Sequence, residues 1–161
     1  MRRSIIRGMA ALALLLGAGL AVPLVTAEPA LAATCTNYGC DGQDPHLTGC
    51  DIGAQTVAQA PITWGGTTFG VVYLRWSSTC QTNWALINVY GAASNNPDHL
   101  WRAADVYRQN PYAEVHFNYY NAGSWIYGDM LYAPGCAKAR GVIDISYATA
   151  YGTAYNTGCY F

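Results

Sequence analysis

The residues with the most chemistry to offer in this chain are six cysteines, Cys35, Cys40, Cys50, Cys80, Cys136 and Cys159. None of their spacings is that of a zinc site or a Cys-x-x-Cys redox motif, and an even count behind a candidate export leader reads as a disulfide framework. Paired sulfurs leave no thiolate to act as a nucleophile or to ligate a metal. Cys136 and Cys159 flank the C-terminal segment and are expected to close locally. Cys50 with Cys80 would tie an N-terminal loop to a hairpin, leaving Cys35 with Cys40. A closed loop of about 24 residues stabilises by roughly 3 kcal/mol in the chain-entropy account, so a small domain would depend on such bonds.

Other chemistry finds weaker support. A Ser-His-Asp arrangement could be assembled from Ser124, His116 and Asp129 or Asp144, but no Gly-x-Ser-x-Gly elbow accompanies them. His46, His99 and His116 are far apart and form no His-Glu-x-x-His pattern. A glycosidase needs two carboxylates across a cleft, for which Glu114 with Asp129 or Asp144 is the available pairing. Asp41, Asp44 and Asp51 offer oxygen ligands for calcium without EF-hand spacing; aspartates capping their own turns explain Asp41 and Asp44 more simply. The expectation is therefore no catalytic residue, no metal and no cofactor, with a secreted hydrolase using Glu114 and Asp129 or Asp144 kept as an alternative.

These residues sit in a chain with an export signature. Arg2, Arg3 and Arg7 precede an apolar run over 9–25, and Ala30-Leu31-Ala32 supplies the small residues of a cleavage site. Residues 1–32 are read as a signal peptide, and the product as secreted and extracellular, with no further stretch long enough for a membrane helix. About 129 residues would remain, enough for one domain with its own core. Its net charge is about minus three and no basic patch is present, which argues against nucleic acid and anionic membrane as partners.

The elements that must position these residues read as strands and turns. Residues 33–53 are polar, cysteine-rich and turn-rich, and form a pinned loop in one folding unit with a β domain over 54–161. Strands are expected over 55–63, 68–76, 82–90, 112–120, 125–132 and 141–146, with 68–76 and 82–90 forming a hairpin around Cys80. The stretch 98–109 is ambiguous between helix and strand, and strand is favoured after one helical turn at Pro97. Over 147–155, Tyr147, Thr149, Tyr151, Thr153 and Tyr155 share one face, and because threonine, tyrosine and glycine are poor helix formers, strand is read over helix. About seven short strands with regular turns suggest an all-β fold, a small antiparallel barrel or sandwich stapled by disulfides.

Three blocks carry a resemblance. They are Cys40-Asp41-Gly42-Gln43-Asp44-Pro45 through Thr48-Gly49-Cys50, Leu74-Arg75-Trp76-Ser77 through Cys80 to Asn83-Trp84-Ala85, and Met130-Leu131-Tyr132-Ala133-Pro134 through Cys136. In order and spacing the chain is similar to the YjfA-like family, small secreted bacterial proteins of unknown function common in actinobacteria. The family pattern places Glu before Leu-Arg and Arg after Trp-Ala, where this chain has Tyr73 and Leu86.

If Cys80 lies at the turn, position 73 faces 86 and 75 faces 84, so the family's Glu and Arg would form a cross-strand ion pair that apolar groups replace here. Arg75 would lie over Trp84, and Tyr73, Arg75, Trp84 and Leu86 would form one partner-binding aromatic surface, unless another part of the fold covers it. The expected role is a non-catalytic protein-binding or adaptor module with a secreted or cell-surface protein partner. By fold-level analogy it would serve as a subunit of an antibacterial toxin-type assembly. Binding of cell-wall glycan or other carbohydrate through Trp64, Trp101 and Trp125 is the alternative.

Overall fold

The computed structural model describes residues 32–96, 101–121, 123–159 and 161. The expected leader before Ala32 and the helical turn at Pro97 lie outside them. Ten strands form one antiparallel sheet: β1 (Gln55–Trp64), β2 (Thr67–Ser77), β3 (Thr82–Val89), β4 (Arg102–Arg108), β5 (Ala113–Val115), β6 (Asn118–Tyr119), β7 (Trp125–Tyr127), β8 (Leu131–Tyr132), β9 (Ala137–Ile145) and β10 (Ala148–Tyr155). Their order is β5-β4-β9-β10-β1-β2-β3-β7, with β6 also on β4 and β8 also on β3. The two ends of this path approach each other, giving a nearly closed barrel around a core of Ile62, Val72, Leu74, Ile87, Val106, Ile143 and their neighbours.

The barrel fulfils the all-β expectation, with ten strands in place of about seven. Two expected strands are each divided. Over 112–120 one register continues, with Val106 opposite Val115 and Ala103 opposite Asn118, but the ladder opens at His116. Over 125–132 the register slips by one residue between Leu86↔Tyr127 and Asn83↔Leu131. The extra residue falls where Met130 leaves the sheet: its N–H donates to Gln43 O at 2.9 Å and its carbonyl accepts from Gly42 N at 2.8 Å. The ambiguous stretch 98–109 supplies β4, which is buried along its whole length.

Alternation decides what faces in. On β10, Ala150, Gly152 and Ala154 point to the core while Tyr151, Thr153 and Tyr155 point outward, as a two-residue period requires. The barrel is narrow enough that its walls touch: a Cβ at Gly141 would lie 2.6 Å from Ile62 Cδ1 and 2.9 Å from Val72 Cβ. Two buried arginines complete its ends. Arg108 donates to Pro111 O at 2.7 Å and to Tyr132 O at 2.6 Å, while Arg102, at the start of the same strand, donates to Ala93 O. Buried guanidinium groups of this kind are tolerable because carbonyl acceptors replace water.

Candidate docking face and aromatic cleft

The β2–β3 hairpin has the register that symmetry about Cys80 requires, with Tyr73 opposite Leu86 and Arg75 opposite Trp84. All four residues are on the outside of the barrel, since Val72, Leu74, Ala85 and Ile87 take the inside. The loop over 33–54 then divides them. Its disulfides Cys35–Cys40 and Cys50–Cys80 sit over the hairpin's lower end, and Trp84 is buried with Cys40, Cys50, Cys80 and Met130 in a second small core. The guanidinium of Arg75 clamps the loop's exit, donating to Ala54 O and Thr56 Oγ1, each at 2.7 Å. Trp84 therefore belongs to the packing of the loop rather than to an exposed surface. Among the described residues the cations found over rings are Arg108 on Tyr38 and Lys138 on Tyr107 and Phe161, in place of the expected Arg75 on Trp84.

The upper half of the face stays open and is extended by β7. Leu86 pairs with Tyr127 and Asn88 with Trp125, so outward rows of Tyr73, Leu86, Tyr127 and of Val71, Asn88, Trp125 lie side by side. Trp125 is 57% exposed, and its ring stacks on Tyr73 with centroids 6.1 Å apart and planes 26° from parallel. This pair was not legible in the sequence, because it depends on the pairing of β3 with a strand some forty residues downstream.

Beside the shelf the barrel's seam opens into a cleft of about 170 Å³ lined by Asp44, Phe117, Tyr119, Trp125, Ile126 and Tyr127. Below, the seam closes backbone to backbone: Gly128 N–H continues the β3–β7 ladder to Ala85 O at 2.8 Å, and across the seam a Cβ on Gly128 would come within 2.3 Å of Ala104 O. Tyr127 donates its hydroxyl to Asp44 Oδ2 at 3.3 Å. Burial pushes the Tyr127 phenol above its ordinary value, with the charges of Asp44, Asp129 and Asp51 acting in the same direction. Burial likewise raises Asp129, and the charge of Asp44 adds to it.

The remaining candidates are placed elsewhere. Cys136 pairs with Cys159, completing the expected connectivity. Asp44 Oδ1 accepts from the backbone of His46 at 2.7 Å and Leu47 at 3.1 Å, Asp41 Oδ1 accepts from Tyr132 N at 2.5 Å, and Asp51 meets His46 Nδ1 at 2.6 Å. Each aspartate of the loop thus has a structural partner. The sulfurs of Cys35, Cys40, Cys50 and Cys80 lie within 4.8 Å of one another, but all four are consumed in disulfides. Trp64 is exposed at the β1–β2 turn and Trp101 donates to Asn118 Oδ1 at 3.1 Å; among the described residues neither stacks on Trp125.

His116 has partners that the sequence reading missed. Its Nε2 lies 3.1 Å from Glu114 Oε1 and its Nδ1 3.2 Å from Asp105 Oδ1. Glu114 also accepts from Tyr112 hydroxyl at 2.6 Å. Tyr112 and His116 hold the Glu114 carboxyl below its usual value. Asp105 could have been suspected from alternation alone, since β4 and β5 are joined by a short turn that brings 105 and 116 opposite each other.

Residues 38–141 match the model of a family described as a protein of unknown function, DUF2690. The chain belongs to that family. The DUF2690 match begins in the cysteine loop and ends in β9, so it includes the hairpin, the shelf and the cleft and stops short of β10 and Cys159. No curated protein and no solved structure matches the chain.

Proposed function

We propose that this DUF2690 protein is a secreted, disulfide-stabilised, non-catalytic binding module that docks a protein partner on the shelf of Tyr73, Leu86, Trp125 and Tyr127. The observation that carries the reading is the exposed Trp125 stacked on Tyr73 at the rim of a disulfide-pinned loop. Large aromatic rings on a rigid support bring contact area with little rotamer entropy to lose, the property of residues that dominate interface energetics. Three disulfides suit an oxidising compartment outside the cytoplasm, in keeping with the export signature.

The finer reading is membership of the YjfA-like group, with Tyr73 and Leu86 standing where its pattern carries Glu and Arg. A charged pair exchanged for an apolar one would change the chemistry of the partner accepted, as expected of an adaptor subunit in a secreted antibacterial toxin-type assembly. Hydrolysis through Glu114 is the weaker reading. Glu114 is tied to Tyr112 and His116 and held below its usual value, whereas a general acid needs a raised one.

A tagged protein with its disulfides intact, mixed with culture supernatant of the producing bacterium, is expected to retain a stoichiometric protein partner. The double variant Tyr73→Ser with Trp125→Ser should lose that partner while keeping its thermal midpoint within a few degrees, taking about 1 kcal/mol as the usual scale of surface substitutions. Retention on isolated cell wall instead, lost in the same variant, would establish the glycan reading, which the exposed Trp125 and Trp64 also suit.

A further inference from the structure

The cleft beside the shelf combines four aromatic residues, Phe117, Tyr119, Trp125 and Tyr127, with the carboxylate of Asp44. Among the described residues none of its lining side chains carries a positive charge. Asp44 receives the Tyr127 hydroxyl and two backbone N–H groups, none of which is a cation. Asp129, outside the lining but in electrostatic contact with Asp44, is half-buried, and among the described residues it has no hydrogen bond or salt bridge. Two bases lie close by without lining the cleft: His46 packs edge-on against Tyr127 at 4.2 Å between centroids and turns its Nδ1 toward Asp51, and Arg102, paired with Tyr119 in the sheet, is fully buried and donates to Ala93 O. Ring faces carry negative electrostatic potential, and carboxylates beside them deepen it. Such a cleft is complementary to a cation with an apolar shell and repels an anion.

We infer that this cleft receives a basic side chain, arginine or lysine, of the docking partner. The inference rests on the docking face proposed above and names the chemistry that anchors it: the side chain's stem lies along Trp125 and Tyr119 while its charged end meets Asp44, with the charge of Asp129 outside the lining adding to the attraction. No residue of β3 is cationic, so nothing on that strand competes with an incoming charge beside Tyr127.

The test is a nuclear magnetic resonance titration of the oxidised protein with acetyl-arginine amide, acetyl-lysine amide and tetramethylammonium chloride, with tert-butanol as the uncharged control. The expected result is binding of the two amino-acid amides with a dissociation constant on the order of millimolar. Their shifts should be confined to Trp125, Tyr127 and Tyr119, and tert-butanol should bind about tenfold more weakly. Trp125→Ala should abolish the shifts at Tyr127, and Asp129→Asn should weaken binding and flatten its dependence on salt.

Equal binding of tert-butanol and the amides would make the cleft merely apolar and overturn the inference. Tetramethylammonium bound with both amides excluded would overturn the partner's side chain as the occupant. A protein that captures its partner through the Tyr73–Trp125 shelf yet ignores every cationic probe would leave the docking face standing and remove the basic anchor. Probes bound at Trp125 in a protein that captures nothing would leave the cation site standing and overturn the partner as its source.

Discussion

Tyr127, on the strand that ends the sheet path, donates its hydroxyl to Asp44 of the cysteine loop. The strand beside the seam is thus held from outside by a segment more than eighty residues earlier. Asp44 also accepts two backbone N–H groups in its own turn, so it organises the loop before it reaches β7. Tyr127→Phe removes one modest hydrogen bond and is expected to cost about 0.5–1.5 kcal/mol, whereas Asp44→Ala removes three acceptor contacts and should cost more. Urea unfolding followed by tryptophan fluorescence gives both values; equal costs would show that the turn does not depend on Asp44.

The loop's burial of Trp84 separates it from Tyr73, although both lie on the outward face of the β2–β3 hairpin. Trp84→Ala leaves a cavity under two disulfides and is expected to cost about 3–5 kcal/mol, while Tyr73→Ser, half-exposed, should cost about 1 kcal/mol or less. Replacing Cys50 and Cys80 together by Ala should cost a similar amount to Trp84→Ala, because a closed loop with sequence separation 30 is opened and the same ring is uncovered. The chain-entropy part alone is roughly 3–4 kcal/mol. Chemical denaturation of the three variants side by side checks the ordering.

Gly128 lets β7 approach β4 more closely than any side chain permits. A methyl group there would sit 2.3 Å from Ala104 O, a backbone atom that cannot swing aside. Gly128→Ala is therefore expected to cost about 1–3 kcal/mol through forced backbone movement and to widen the cleft above it. Hydrogen exchange should show faster exchange of the β7 amides in the variant; unchanged protection would mean that the seam closes by other means.

The His116 cluster predicts a pH dependence. Its hydrogen bond to Glu114 raises the imidazole above the usual value of 6.5, burial opposes this, and the Asp105 charge reinforces it. Because the folded-state value is the higher one, the stabilisation is complete below pH 6.5 and is lost as pH rises through the folded value. Glu114 works in the opposite sense: its folded value is lowered, so its contribution is present above 4.5 and lost as pH falls through the lowered value. The thermal midpoint of the native chain should exceed that of His116→Gln in mildly acidic buffer, with the difference shrinking above neutrality. A difference independent of pH would remove the ion pairs from the account.

Local rules carried the sequence reading a long way. Even cysteine count and turn chemistry pointed to the disulfide framework, and two-residue alternation gave the hairpin's register to the residue, Tyr73 with Leu86 and Arg75 with Trp84. These features are local in the chain, where side-chain period and turn symmetry act without help from distant segments. What escaped the reading was the division of 112–120 into β5 and β6 and of 125–132 into β7 and β8. Alternation marked both stretches as strand, but their breaks are set by the opening at His116 and the register slip at Met130, which depend on pairing with β4 and β3.

What the chain's sequence determined by itself was therefore the kind of protein this is: an all-β, disulfide-stapled domain whose hairpin presents a known set of residues outward. Only the tertiary structure decided which of those residues meet solvent. The loop over 33–54 covers Trp84 and leaves Tyr73 open, and the seam between the two ends of the sheet brings Asp44, Tyr119, Trp125 and Tyr127 around one cleft. Both outcomes depend on how a barrel closes and on where a loop lands. Those are contacts between segments far apart in the chain, fixed by shape and chain closure rather than by any local preference of the residues involved.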